Sequence, residues 1–315
     1  MKIEHASEHV RPYDNTLVRL KQMGNVTEVF WMTARPPTTC PIRKLDKYHY
    51  VDTNTGEVKE FNHIKSRADN LESVRKSLRR GQEIIHTNTA DLECCALVTL
   101  TYRQREDDTQ ECTPMTDPQK LYRDTKNFIK RLRRIYGHFE YNACAEPQKS
   151  GSLHQHIILI FAEAAPDLSC GTMAEIWGHG SAWVADIENI RNLALYLTAY
   201  LRDSESEGHA GIGPIGTPGP NIVEKKVQTK CGETTTKRFE KFGRLHMYPP
   251  QFNIFRYSRG IKIPDTERMT EAEAMERIGD STLTYEKTLC VLNEETGFRN
   301  TLNYRYYDNP QTATG

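Results

Sequence analysis

Apolar residues recur along this chain with two different periods, and the switches between them outline a series of elements. Thr and Val alternate through Leu97-Val-Thr-Leu-Thr-Tyr102, which predicts a strand from Leu92 to Arg103. From Asp117 to Tyr136 the apolar positions Leu121, Phe128, Ile129, Leu132 and Ile135 mark one side of an amphipathic helix. Strands are predicted near 138–146 and 153–162, then a short helix near Met173 to Trp177 and a strand at 181–187. Ile190, Leu193, Leu197 and Leu201 then resume helical spacing in a stretch free of Gly and Pro. The order from Leu92 to Asp203 is therefore β-α-β-β-α-β-α. A split β-α-β antiparallel sheet of the ferredoxin or RRM type, with helices on one face, satisfies it, and the fold class expected is α+β.

The flanks have weaker patterns. Residues 1–90 mix polar loops with a short hairpin around Asn54-Thr-Gly56 and a helix from about Ala68 to Gln82. Ser204 to Asn221 is rich in Gly, Pro and Ser and reads as a loop. Beyond it come Lys225, Lys226, Lys230, Lys237, Arg238, Lys241 and Arg244, and a late hairpin, Thr284 to Leu292 with Phe298 to Tyr307. Basic and aromatic residues so mixed suit single-strand binding, and equally suit ordinary surface strands. The expected division is an N-terminal extension (1–90), a core (91–205), a flexible loop (206–222) and a C-terminal accessory region (223–315).

Two histidines give the pattern its chemistry. His154 and His156 flank Gln155 in a predicted strand, so both imidazoles project from one face. Glu146 stands eight residues before His154, across the polar stretch Pro147-Gln-Lys-Ser-Gly-Ser152. A hairpin centred near Ser150 sets Glu146 opposite His154, and one carboxylate and two imidazoles converge as a site for Mg²⁺, Mn²⁺ or Zn²⁺. Cys144 falls opposite His156 in the same register, but thiolate chemistry suits hard metals poorly, and a small strand residue is the expectation. Tyr196 and Tyr200 share one face of the last predicted helix. A phenolate beside a metal can attack a phosphodiester and form a covalent phosphotyrosine.

These residues resemble the HUH endonucleases, and among them the rolling-circle replication initiators of phages and plasmids. Leu97-Val-Thr-Leu-Thr-Tyr102 is similar to their first motif, and Ala145-Glu-Pro-Gln-Lys-Ser-Gly-Ser-Leu-His-Gln-His156 to the Ala-Glu-Pro…Gly…His-x-His of the phage gene A type. Tyr196 and Tyr200 match the paired tyrosines of the two-tyrosine branch, and Ile176-Trp-Gly-His-Gly-Ser-Ala-Trp183 resembles a Trp-x-x-Gly segment between the second and third motifs. The resemblance covers about Cys94 to Asp203. It implies an HUH core and metal-dependent nicking and joining of single-stranded or hairpin origin DNA. Glu146, His154 and His156 would hold Mg²⁺ or Mn²⁺, Tyr196 or Tyr200 would form a 5′-phosphotyrosine, and the cell would be bacterial or archaeal. A transposase or relaxase could use the same site; a hydrolase without a covalent step and a non-catalytic origin-binding protein are the other readings. The family often places Lys three residues after a catalytic Tyr, whereas Ala199 and Asp203 occupy those positions here. Which tyrosine attacks first stays open.

Composition narrows the partners. With 42 basic and 42 acidic residues the formal net charge is zero, which argues against coating nucleic acid by bulk attraction. Local clusters exist at Arg75, Lys76, Arg79 and Arg80, and between Lys120 and Arg134, as solvated helix faces or phosphate contacts. The longest apolar run, Ile157 to Phe161, cannot cross a bilayer, and Met-Lys-Ile-Glu-His-Ala-Ser-Glu has no apolar signal region, so no membrane partner and a cytoplasmic location are expected. Eight cysteines include no Cys-x-x-Cys pair, and reduced thiols are expected. No Walker motif is present: Gly-Ile-Gly-Pro-Ile-Gly lacks the following Lys-Ser/Thr, so a host helicase and polymerase would have to supply unwinding and synthesis.

Overall fold

A computed structural model describes residues 2–5, 12–34, 41–46, 48–61, 65–103, 114–148, 150–185, 187, 203–205, 222–228, 234–241, 244–294 and 296–309. In chain order its strands and helices are β1 (Lys2–His5), β2 (Leu17–Met23), β3 (Val26–Met32), β4 (Ile42–Lys44), β5 (His49–Asp52), β6 (Val58–Glu60) and α1 (Leu71–Asn88). Next come β7 (Cys95–Tyr102), α2 (Pro118–Tyr136), β8 (Glu140–Pro147), β9 (Leu153–Ile160), α3 (Cys170–Trp177) and β10 (Gly180–Ala185). The remainder is β11 (Asp203–Glu205), β12 (Ile222–Gln228), β13 (Thr234–Lys241), β14 (Phe255–Tyr257), β15 (Thr266–Thr270), α4 (Glu271–Ile278), β16 (Thr282–Asn293) and β17 (Phe298–Asp308). The protein is α+β with antiparallel sheets, and among the described residues no helix is long and apolar enough to cross a membrane.

The chain forms two units, Met1–His63 with Ile263–Gly315, and Ile64–Lys262. In the first, strands from both ends of the chain share a sheet of order β1-β16-β17-β3-β2-β15, a pairing invisible to a reading that treats the flanks as separate extensions. The β2–β3 hairpin, turning at Gly24 with φ 59°, replaces what the sequence suggests are polar loops. The late hairpin is present as β16 and β17, and the short one around Gly56 as β5 and β6. On one face α4 packs Ala274 and Ile278 against Val18, Leu20, Val29 and Trp31. Arg305 donates from both terminal nitrogens to Glu271 at 2.6 Å, so the buried charge is paired and hydrogen-bonded.

In the second unit the main sheet has the order β10-β7-β9-β8-β14, and its first four strands are joined as β-α-β-β-α-β. That is the element order legible in the sequence, with antiparallel pairing at every neighbouring strand. Helix α2 starts where Asp117 accepts from the Gln119 N–H and Pro118 occupies the first turn. It buries Leu121, Phe128, Ile129 and Leu132 against Val98, Leu100, Ile157 and Leu159, each side chain contributing about 1.5–3 kcal/mol of apolar burial. Ile135, grouped with them by periodicity, is 59% exposed in the helix's last turn. Thr125 donates to Gln155 at 2.6 Å, so the residue between the two histidines faces α2. Helix α1 lies on the other face of the sheet, where Ile85 meets Leu97 and Ile158.

Trp177 is core. It is fully buried, 5.1 Å from the Tyr102 ring and 5.9 Å from Phe128, and its indole N–H donates to Thr101 O at 3.1 Å. Below it Asp124 is buried but satisfied, accepting from Lys120 at 2.6 Å and from Tyr102 at 3.0 Å. Burial alone would raise its carboxyl pKa; these donors, with the nearby His179, hold it below the ordinary value. Gly180 opens β10 so close to β7 that a Cβ would collide with backbone atoms of Thr101, Tyr102 and Arg103. Gly180→Ala should therefore cost about 1–3 kcal/mol, read as a lower urea midpoint; an unchanged midpoint would show that β10 can move away freely.

Candidate metal centre

The hairpin of β8 and β9 is closed by two backbone bonds, Gln148 N–H to Ser152 O at 2.8 Å and Gly151 N–H to Gln148 O at 2.9 Å. Gly151 sits at φ 85°, a conformation that a side chain would strain. This turn sets the register: Glu146 pairs with His154 and Cys144 with His156. On the other side of β9, Thr101 pairs with His154 and Thr99 with His156. Directly opposed residues of antiparallel strands share a face. The face carrying Glu146 and both histidines is thus the one turned away from α2.

The structure brings those three together. Glu146 Oε2 lies 3.5 Å from His154 Nε2 and 3.4 Å from His156 Nε2, and the three candidate ligand atoms are all within 4.8 Å of one another. The imidazole rings meet edge to face, with centroids 4.7 Å apart. Burial disfavours the Glu146 carboxylate, but the two imidazoles outweigh it and hold its carboxyl pKa at about 2. The other oxygen, Oε1, accepts from Arg244 at 2.8 Å, and the same guanidinium donates to Pro147 O at 3.2 Å. One carboxylate oxygen is therefore committed to a cationic side chain while the other faces the imidazoles.

The group can hold a metal ion. The best test of fit is His154: both ring nitrogens are buried, and neither has a hydrogen-bond partner. A buried polar atom left unsatisfied costs about 1–3 kcal/mol, and a cation at Nε2 would remove part of that cost. His156 has the complementary arrangement, with Nδ1 2.9 Å from Thr99 Oγ1. A proton on Nδ1 donated to Thr99 leaves the Nε2 lone pair toward Glu146, the tautomer a metal ligand needs. Cys144 is fully buried, and burial followed by the nearby Glu146 charge pushes its thiol pKa far up, which makes it a neutral strand residue. Cys94, Cys95, Cys144, Cys170 and Cys290 are free thiols.

Arg244 and Thr99 are the contributors that sequence reasoning missed. Arg244 stands 98 positions from Glu146 amid other basic residues, and nothing in its local pattern ties it to the hairpin. Thr99 was legible only as one of the alternating residues of β7. Tyr248 also reaches this region, donating its hydroxyl to Ala145 O at 2.8 Å. The exposed cations of α2, among them Arg123, Lys126 and Lys130, lie on the far side of a helix that covers the opposite sheet face, so they do not line this centre. Tyr196 and Tyr200 lie outside the described residues.

Residues 95–205, about a third of the chain, match a family model described as a replication-associated protein of the ORF2 type. No curated protein and no solved structure matches the chain. The matched segment contains β7, the whole hairpin and the three converging residues. Thr99→Val keeps the side-chain volume but removes the acceptor from His156; it should weaken Mn²⁺ binding about 10–100-fold by calorimetry, whereas an unaltered dissociation constant would deny Thr99 any part in orienting the imidazole.

Proposed function

We propose that this chain initiates rolling-circle DNA replication by nicking and rejoining single-stranded origin DNA. The observation that carries the reading is the buried Glu146–His154–His156 group, lying within the segment similar to replication-associated proteins. In this reading the unit from β7 to β10 is the HUH core, with helix-borne tyrosines following it. Glu146, His154 and His156 hold Mg²⁺ or Mn²⁺, a choice that suits a mixed carboxylate–imidazole set. When bound, the ion polarises the scissile phosphate and offsets charge on the leaving oxygen.

The chain's own residues do the rest. The phenolic oxygen of Tyr196 or Tyr200 attacks phosphorus and its proton passes to solvent. The bond from phosphorus to O3′ breaks and O3′ takes up a proton, leaving a 5′-phosphotyrosine and a 3′-hydroxyl that primes synthesis. Arg244 adds a fixed positive charge beside Glu146, a cation that the tyrosine segment lacks with Ala199 and Asp203 at the lysine positions of similar proteins. A second tyrosine allows another cleavage after one round, so that the displaced strand can be closed into a circle. Strand separation and polymerisation fall to host enzymes in the cytoplasm of a bacterial or archaeal cell.

The test uses oligonucleotides tiling both strands of the genetic element that encodes the chain, incubated with the full-length protein and Mn²⁺. A DNA–peptide adduct should form and map to Tyr196 or Tyr200, and the Tyr196→Phe/Tyr200→Phe variant should form none. His156→Ala should lower nicking about 10²–10³-fold, the worth of several kcal/mol of charge stabilisation. Cleavage that persists in the double variant would mean direct hydrolysis, and binding without cleavage of any oligonucleotide would mean an origin-binding protein.

A further inference from the structure

The sheet face that carries the metal ligands does not end at them. Two cross-strand rows run from Glu146 and Cys144 to the edge strand β10. One is Glu146, His154, Thr101 and Ser181; the other is Cys144, His156, Thr99 and Trp183. Trp183 is thus two strands from His156 in the same row, roughly 10 Å at ordinary strand spacing. Its neighbours confirm which way it points. Ala182 and Val184 pack into the core beneath α2 and α3, so the residue between them faces the metal side.

Trp183 is 66% exposed, whereas Trp31 and Trp177, the other two tryptophans of the chain, are buried. No described ring or cation stacks on it, and the positions between it and the metal ligands carry hydroxyls, Thr99, Thr101 and Ser181. An indole held on a rigid strand, at the end of a neutral hydroxyl-lined path to a metal centre, offers a flat apolar surface to a planar partner. Bases of single-stranded DNA stack on such rings with little regard to sequence, whereas paired bases present no free face. Further along the same face the row of Ala185, Leu97 and Ile158 is closed by Ile85 of α1, so the approach is open at the Trp183 end and blocked at the other.

We propose that Trp183 is a base-stacking platform that seats an unpaired nucleotide of the DNA strand whose phosphate lies at the Glu146–His154–His156 group. This rests on the DNA-nicking reading above and adds to it a residue that fixes where the strand lies. It also explains why a large apolar side chain is left uncovered on an edge strand, a position where proteins ordinarily avoid one.

Intrinsic fluorescence tests it, because the two buried tryptophans give a background that DNA cannot touch. The full-length protein in EDTA is titrated with short oligothymidylate, with the same oligonucleotide carrying one abasic position, and with a duplex. Single strands should quench the emission and the duplex should not. Trp183→Leu should abolish the quenching and weaken binding about 5–150-fold, Trp183→Tyr should keep most of the affinity, and the abasic oligonucleotide should bind wild type more weakly but Trp183→Leu no differently. A thermal midpoint equal to wild type shows that the variants are folded. Equal affinity of Trp183→Leu and wild type, or equal quenching by duplex, overturns the platform. So does a concentration-dependent dimer that disappears in Trp183→Leu while DNA binding stays, since the occupant is then a second copy of the chain. The two readings fail separately: Trp183-dependent binding without Mn²⁺-dependent cleavage sinks the nicking reaction alone, and cleavage that is indifferent to Trp183 sinks the platform alone.

Discussion

The register of one hairpin governs everything this centre can do. Side chains alternate along β8 and β9, so a slip of a single residue would send Glu146 or both histidines to the α2 side of the sheet. Three features hold the register against that slip. The turn from Gln148 to Ser152 is hydrogen-bonded and passes through Gly151 at positive φ. Gln155, between the histidines, is anchored to Thr125 in the opposite layer. β7 pairs along the full length of β9 and supplies Thr99 to His156. The residue between the metal-facing imidazoles therefore has a task of its own, to lock the strand from behind.

The second unit contains two buried carboxylates that look alike by exposure and differ in what surrounds them. Asp124 accepts hydrogen bonds from a lysine and a tyrosine and ties α2 to β7 and to the loop before β10. Its bonding capacity is used within the protein, as befits a structural group. Glu146 has one oxygen on Arg244, while the other faces two imidazoles, one of which has no hydrogen bond to either ring nitrogen. An incomplete polar group of this kind is stable only when something else completes it. Burial by itself would not have separated the two.

Much of the second unit is legible in the sequence because its signals are local. Period-two and period-3.6 patterns mark β7, α2, β8, β9, α3 and β10 in order, with ends displaced by a few residues, and the turn chemistry at Gly151 is enough to set Glu146 opposite His154. What cannot be read depends on contacts between distant segments. Arg244 reaches Glu146 across 98 positions, and Trp177 is ambiguous until α2, α3 and β7 are seen to enclose it. Helix α1, expected to stop near Gln82, continues to Asn88, because Ile84 and Ile85 gain burial against the sheet that sequence alone does not show. The sheet of the first unit escapes a local reading for the same reason: β3 has neighbours from opposite ends of the chain, and half of its pairing partners lie beyond any local window.

That last arrangement dictates a timetable for assembly. Glu28 on β3 accepts a hydrogen bond from Tyr306 on β17, 278 positions later, whereas the segments around the metal centre are joined by short connections. Closing so long a loop is slow and entropically expensive. During synthesis the second unit can therefore complete itself while β2 and β3 still wait with an open edge. Interrupted translation would leave that edge bare, ready to pair with a stranger, while the fragment already carried its full set of metal-facing side chains.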